Sequence, residues 1–253
     1  MNESDRLACL QAMGITVWRS REQKVVRSDG AADSRVQPPR PTESMAPSPA
    51  AVAASLPDQM LKVASEVMPT ASDWPALRAE VAACTRCPLA ESRTQTVFGK
   101  GSETADWLII GEAPGQQEDL QGQPFVGPAG KLLDEMLKAA GLSPESVYIA
   151  NIVKCRPPDN RNPNAEEAAA CRTFLDRQTA LLKPKLILAL GKVAAHNLLS
   201  TDSPLGQLRQ QVFYRDTVPV VVSYHPAYLL RRLLDKKKAW DDWQFALKTF
   251  RSH

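Results

Sequence analysis

Four short, largely apolar runs, each followed by a helical pattern or a sharp polar turn, constrain this chain more than any other feature. They are Asp106–Ile110, Val147–Val153, Leu186–Leu190 and Val218–Val222. Continuous rather than alternating apolar character is what a strand needs when both of its faces are covered, as in a parallel sheet. Pro128 to Ala140 starts with proline, carries Leu132, Leu133, Met136 and Leu137 on one face, and stops at Gly141. Asn164 to Leu182 opens on an N-cap asparagine and two glutamates, which suit the positive end of a helix dipole. Lys192 to Leu199 follows the third run. This alternation predicts a three-layer α/β/α sandwich around a central four-stranded parallel sheet. Ligands of such sheets sit beyond the carboxyl ends of the strands. The candidate positions are therefore Gly111 to Gly115, Asn151 to Cys155, Gly191-Lys192 and Ser223 to Pro226. Gly191-Lys192 is not a phosphate loop, because Leu186 stands where that motif needs glycine and Val193 where it needs Ser or Thr.

The sheet pattern occupies only part of the 253 residues. Seven of the 20 prolines fall between Ser28 and Thr70, and no glycine occurs between Gly30 and Gly99. Residues 28–72 read as a disordered Pro/Ala/Ser-rich linker that buries too little apolar surface to offset its ordering entropy. Ahead of it, residues 1–27 hold a short helical segment with Leu7, Leu10, Met13 and Trp18 at helical spacing. It reads as a loosely docked helix or, more sharply, as a peptide that binds a protein partner. Residues 73–253 form the domain. Residues 1–73 carry 8 Lys/Arg and 9 Asp/Glu, so the net +3 of the chain belongs to the domain. So small a charge gives no argument for nucleic acid. No run approaches the roughly 20 apolar residues of a membrane span. The polar N-terminus, with Glu3 and Asp5, does not read as a signal peptide. The expectation is a cytoplasmic, prokaryote-like protein, a monomer.

Four of the five cysteines fall in the domain. Cys84 and Cys87 make a C-x2-C pair, Cys155 follows the second strand, and Cys171 lies on the next helix. A disulfide framework is not expected in a reducing compartment. One close pair and two distant cysteines can make a four-thiolate site. Zinc and an iron–sulfur cluster both accept all-thiolate coordination, and the spacing does not separate them. Either reads as a structural staple.

The segment Gly111-Glu-Ala-Pro-Gly-Gln-Gln-Glu-Asp119 resembles the GEAPGxxED motif of family 4 uracil-DNA glycosylases. Gly122-Gln-Pro-Phe-Val-Gly127, Asn151 and His225-Pro-Ala-Tyr-Leu-Leu230 match that family's other segments in order. The resemblance covers about residues 74–240. It implies a [4Fe-4S] cluster on Cys84, Cys87, Cys155 and Cys171, with zinc as the alternative, and an enzyme that hydrolyses uracil from single- or double-stranded DNA to leave an abasic site. A related subgroup carries a reactive histidine after the second strand. Here Cys155-Arg-Pro-Pro-Asp-Asn-Arg-Asn-Pro163 has none, so covalent capture of DNA is not expected.

That chemistry assigns roles. Phe125 is expected at an exposed position of a Gly/Pro-rich loop, as the floor on which a flipped uracil stacks. Asn151 offers one acceptor and two donors to the base edge. His225 donates to uracil O2 as negative charge grows there. Glu112 orients water or stabilises the positive sugar, or else anchors its loop. Backbone N–H groups from Ala113 to Gln116, Ala113 and Gly115 among them, are further contacts to uracil or phosphate. Leu229 and Leu230 read as a wedge on an amphipathic helix, with Arg231 and Arg232 as a phosphate clamp. Two rivals stand beside this reading. One is an inactive DNA-binding relative associated with a polymerase. The other is a zinc-stapled nucleotide hydrolase.

Overall fold

Each apolar run becomes a strand in the computed structural model, which describes residues 73–252. The segments 1–27 and 28–72 lie outside the described residues, as does His253. The central strands are β2 (Trp107–Gly111), β3 (Val147–Asn151), β4 (Leu186–Leu190) and β6 (Val218–Ser223). All three pairings among them are parallel, in the order β3-β2-β4-β6. Two short strands extend this core antiparallel at its edges: β1 (Lys100–Gly101) beside β3 and β5 (Phe213–Arg215) beside β6. The sheet is therefore six-stranded and mixed at its rims. The sequence does not announce these edges, because two or three residues with one solvated face leave no apolar run.

Helices cover both faces. Alternate residues of every central strand feed opposite layers, as strand geometry requires. Leu108, Ile110, Ala150, Ile187 and Val220 face one layer with Leu77, Phe174 and Leu198. These come from α1 (Trp74–Ala82), α5 (Ala165–Leu182) and α6 (Lys192–Leu199). Trp107, Ile109, Leu188 and Val221 face the other with Leu133, Met136 and Trp243. Those come from α4 (Pro128–Ala140) and α9 (Asp235–Arg251). Short helices α2 (Leu89–Ser92), α3 (Gln116–Gln121), α7 (Leu205–Leu208) and α8 (Pro226–Leu229) shape the ends. Helix α4 keeps the bounds expected of it, with proline at its start and Gly141 at its left-handed stop. Asn164 caps α5 through its side chain to the Glu167 N–H, and Glu167 reciprocates at 2.9 Å.

One expectation fails locally. The segment after His225 is not one amphipathic helix. α8 ends at Leu229, a turn follows, and α9 begins at Asp235. Leu229 is buried in the core and cannot act as a wedge. The exposed leucines are Leu230, Leu233 and Leu234, the last of them 94% exposed.

Candidate active site

The carboxyl ends of β2, β3, β4 and β6 open into one cleft of about 680 Å³. Its wall includes Glu112, Ala113, Gly115, Phe125, Asn151 and His225, and Arg231 stands at its side. Arg232 is not part of the lining. Four separate strand ends thus deliver their following residues to one place, as the parallel topology dictates.

Two glycines make the cleft possible. A Cβ on Gly111 would sit 2.5 Å from Asn151 Oδ1 and 2.8 Å from Phe125 Cζ. Removing that one side chain lets the aromatic ring and the amide meet over the end of β2. Gly191 has a φ of +91°, and its Cβ would lie 2.9 Å from that of His225. That φ is one L side chains rarely adopt, and the absent Cβ leaves room for the histidine beside the end of β4.

Phe125 is not exposed. It is 7% accessible, with a positive φ of 54° unusual for a large side chain. Its ring stacks beside that of His225, with centroids 5.5 Å apart and planes 29° from parallel. Packing against Gly111 and His225 holds the ring inward rather than presenting it to solvent. What holds the strained loop is Glu118 of α3. Its Oε1 accepts from the N–H groups of Val126 (2.9 Å) and Gly127 (3.0 Å), and its Oε2 accepts from Gly115 N–H (3.2 Å). Glu118 therefore ties the loop after β2 to the loop bearing Phe125. Sequence reasoning missed it. Its neighbour Asp119 acts likewise, accepting from the N–H of Thr94 at 2.9 Å and 3.0 Å.

Asn151 ends β3 and is 2% exposed. Its Oδ1 is buried and has no hydrogen-bond partner among the described residues. The indole N–H groups of Trp107 and Trp243 share that condition, but they lie inside an apolar layer. The Asn151 oxygen instead borders the cleft, where a ligand donor would satisfy it. His225 caps α8. Its Nδ1 accepts from Ala227 N–H at 3.2 Å, so in the neutral ring the proton sits on Nε2. Burial, helped by the Arg231 charge, pulls its pKa down to about 4, against a smaller opposing pull from Glu118. The imidazole is therefore neutral at physiological pH, with one donor left to use. Burial raises the pKa of Glu112. Its carboxylate makes no hydrogen bond or ion pair among the described residues, so anchoring the loop falls to Glu118.

A second, smaller site lies on the layer of α1 and α5. Cys84, Cys87, Cys155 and Cys171 line one narrow void with Arg93 and Lys154. Arg93 Nη1 donates to Cys155 Sγ at 3.1 Å, and Lys154 N–H donates to Cys171 Sγ at 3.3 Å. Among the described residues, no three His, Cys, Asp or Glu side chains converge as a single metal ion requires. Burial pushes the Cys171 thiol up to about 11 and Cys155 the same way. At neutral pH those two become thiolates only against a bound cation.

Comparison with known proteins fits this geometry. A profile of the Uracil DNA glycosylase superfamily matches residues 98–244. A type-4 uracil-DNA glycosylase of Archaeoglobus fulgidus is 43% identical over 161 residues, covering 60% of this chain and 81% of that protein. A type-4 uracil-DNA glycosylase of Thermotoga maritima is 43% identical over 150 residues, covering 58% and 78%. A type-5 uracil-DNA glycosylase of Thermus thermophilus is 37% identical over 119 residues, covering 41% and 54%. The matched region spans the whole sheet core and every strand end that builds the cleft, and the chain belongs to the uracil DNA glycosylase superfamily.

Proposed function

We propose that this enzyme hydrolyses the N-glycosidic bond of uracil in DNA, single- or double-stranded, and leaves an abasic site. The observation that carries the reading is the buried, unpartnered Oδ1 of Asn151 beside the Phe125–His225 ring pair. Uracil N3–H is a donor of the kind that oxygen lacks, and the Asn151 amide N–H suits uracil O4. Cytosine, with no proton at N3 and an amino group at C4, mismatches both. Each buried polar group left unpaired costs about 1–3 kcal/mol, which supports discrimination. The flipped base rests against Phe125.

As the bond to the sugar breaks, its electron pair goes to the uracil ring and charge collects on O2. The Nε2–H of neutral His225 donates there. A neutral donor does not protonate the anion outright but stabilises it, on the order of 3 kcal/mol more in the transition state than in the ground state. Glu112, with a carboxylate unspent on its loop, orients the attacking water or offsets the positive sugar. Water adds to the anomeric carbon, its proton passes to the uracil anion directly or by way of the Glu112 carboxylate, and uracil departs neutral. Arg231 contacts a phosphate beside the cleft, with Arg232 further out, and the N–H group of Ala113 faces uracil or phosphate, whereas the Gly115 N–H expected to join it is taken by Glu118.

The four cysteines fit a [4Fe-4S] cluster better than zinc. Zinc needs four sulfurs about 2.3 Å from one point, whereas among the described residues no three such side chains converge that closely and the four thiols rim a shared void. When bound, the cluster supplies a cross-link between the start of the domain, the end of β3 and α5. The reaction uses no electron from it.

The test is alkaline strand scission of DNA carrying one uracil, by the parent protein and by His225→Ala. The reading expects scission by the parent and little by the variant. No scission by the parent defeats it and favours a binding relative. A brown protein supports iron–sulfur, and a colourless one supports zinc.

A further inference from the structure

Lys154 is 1% exposed, and lysine is almost never so buried unless paired. Its Nζ donates to the backbone oxygen of Asn151 at 2.9 Å and to Gln178 Oε1 at 2.6 Å. Gln178, fully buried, is aimed by its own amide bonds to Phe98 O (2.9 Å) and the Tyr148 hydroxyl (3.3 Å). Every one of these acceptors is neutral. Among the described residues no carboxylate pairs with Lys154. A buried ammonium with neutral partners alone is costly, by several kcal/mol.

The missing charge lies on the other side of the residue. Lys154 lines the void of the four cysteines, its own N–H bonds Cys171 Sγ, and Cys155 follows it in sequence. Four thiolates on a [4Fe-4S] core leave a net negative charge. We propose that Lys154 is the counter-charge of the four-cysteine iron–sulfur site and the strut through which that site fixes Asn151 at the base pocket. The inference rests on the cluster and base-reading assignments above. Four peptide units lead from Asn151 to Cys155, and the Lys154 ammonium closes the first three into a ring by reaching back to the Asn151 carbonyl. Because Asn151 Oδ1 has no partner among the described residues, the aim of that side chain depends on where its backbone is held. Lys154 is thus a positioning residue for base recognition. It also tunes the cluster, since charge and hydrogen bonds around the sulfurs set cluster potential.

The experiment uses the full chain purified with its cluster, and two variants. Lys154→Met keeps the bulk and removes the charge. Gln178→Glu keeps the lysine and neutralises it with a carboxylate at the same position. Iron content, the midpoint potential of the cluster and the affinity for free uracil are measured alongside excision. Both variants are expected to shift the potential negative, because a lost positive charge makes reduction harder. Lys154→Met is also expected to weaken uracil affinity about tenfold. If Lys154→Met loses the cluster, Gln178→Glu decides the charge question. An unshifted potential in a folded variant overturns the counter-charge, and so does a parent protein holding zinc. A shifted potential with unchanged uracil affinity in Lys154→Met overturns the strut. A parent that holds iron but excises no uracil defeats the glycosylase reading and leaves the potential shift to decide the counter-charge by itself.

Discussion

Two carboxylates near the ends of the parallel strands have opposite surroundings. Asp242, on α9, is fully buried. Its Oδ2 accepts from Arg209 Nε (2.8 Å) and the Ser223 hydroxyl (3.0 Å), and its Oδ1 accepts from Gln210 (2.9 Å). Arg209 in turn stacks over Tyr224, which lies in the cleft wall between Ser223 and His225. Glu112 also leaves water, yet its side chain bonds nothing among the described residues. The first carboxylate is closed by its neighbours, and the second is kept open at some cost. A half-buried acid and a buried amide oxygen that both lack partners among the described residues, in one cleft, are groups a ligand would satisfy. Asp242 ties α9 to the end of β6 through Ser223, and in the proposed function Glu112 faces the reaction.

Substitution should separate the two. The largest effect is expected from Asp242→Ala, which leaves Arg209 and Ser223 without their acceptor. Breaking one side of a buried pair costs about 3–5 kcal/mol, read from urea unfolding. A variant as stable as the parent would remove the distinction between closed and open carboxylates. His225→Ala is expected to lower kcat by about 10²–10³ with little change in unfolding. Glu112→Gln is expected to lower kcat by about 10² while stability stays level or rises. The sign follows from its raised pKa. The folded protein disfavours the charged form, so a neutral isostere removes a penalty present at neutral pH. Loss of stability in Glu112→Gln would place it with Asp242 instead.

The difference between the two regions also tracks what the sequence discloses. The sheet core, helix α4 and the strand-end positions were legible, because burial on both faces writes itself as unbroken apolar runs such as Leu186–Leu190. Gly111, Asn151 and His225 were legible as strand ends and through the family motifs. Glu118 was not. Its role depends on two loops closing within 3.2 Å of one side chain, and no local pattern encodes that closure. Asp242 and Arg209 lie 33 residues apart, so their pairing is equally silent. Phe125 read as exposed because Gly122, Pro124 and Gly127 flank it. Tertiary packing against Gly111 and His225 overrides that local signal. Leu229 and Leu230 read as one helix face, but the helix ends at Leu229 and the turn that follows leaves Leu229 in the core and Leu230 in solvent.

A smaller effect tests whether His225 belongs to the open region. Its folded pKa of about 4 lies below the ordinary 6.5. Above pH 6.5 the ring is neutral in folded and unfolded chains alike, so no stability depends on it. Between pH 6.5 and about 4 the unfolded chain takes up a proton that the folded chain refuses, and stability falls as pH falls. From pH 7.5 to 5 that loss is about 2 kcal/mol. His225→Gln should remove that share of the decline. An identical decline in parent and variant would mean that the imidazole is not held neutral. Its service as a neutral donor to O2 would then fail as well.

The smallest effect concerns the rim, where neither kind of closure applies. Arg231 and Arg232 are exposed beside the cleft, and only Arg231 lines it. Cations there act on phosphate by releasing counterions, so their signature is the salt dependence of binding rather than kcat or stability. Removing one phosphate-contacting cation lowers the slope of log affinity against log salt by about 1. Arg231→Ala should therefore flatten the slope by about that amount for a single strand carrying uracil. Arg232→Ala should flatten it less, since its distance from the cleft leaves it a weaker hold on the same strand. The affinity loss should be the same for DNA with and without uracil, because phosphate contacts carry no base information. An unchanged slope in both variants would remove the clamp. A loss confined to uracil-bearing DNA would move Arg231 from the rim into the open region with Glu112 and Asn151.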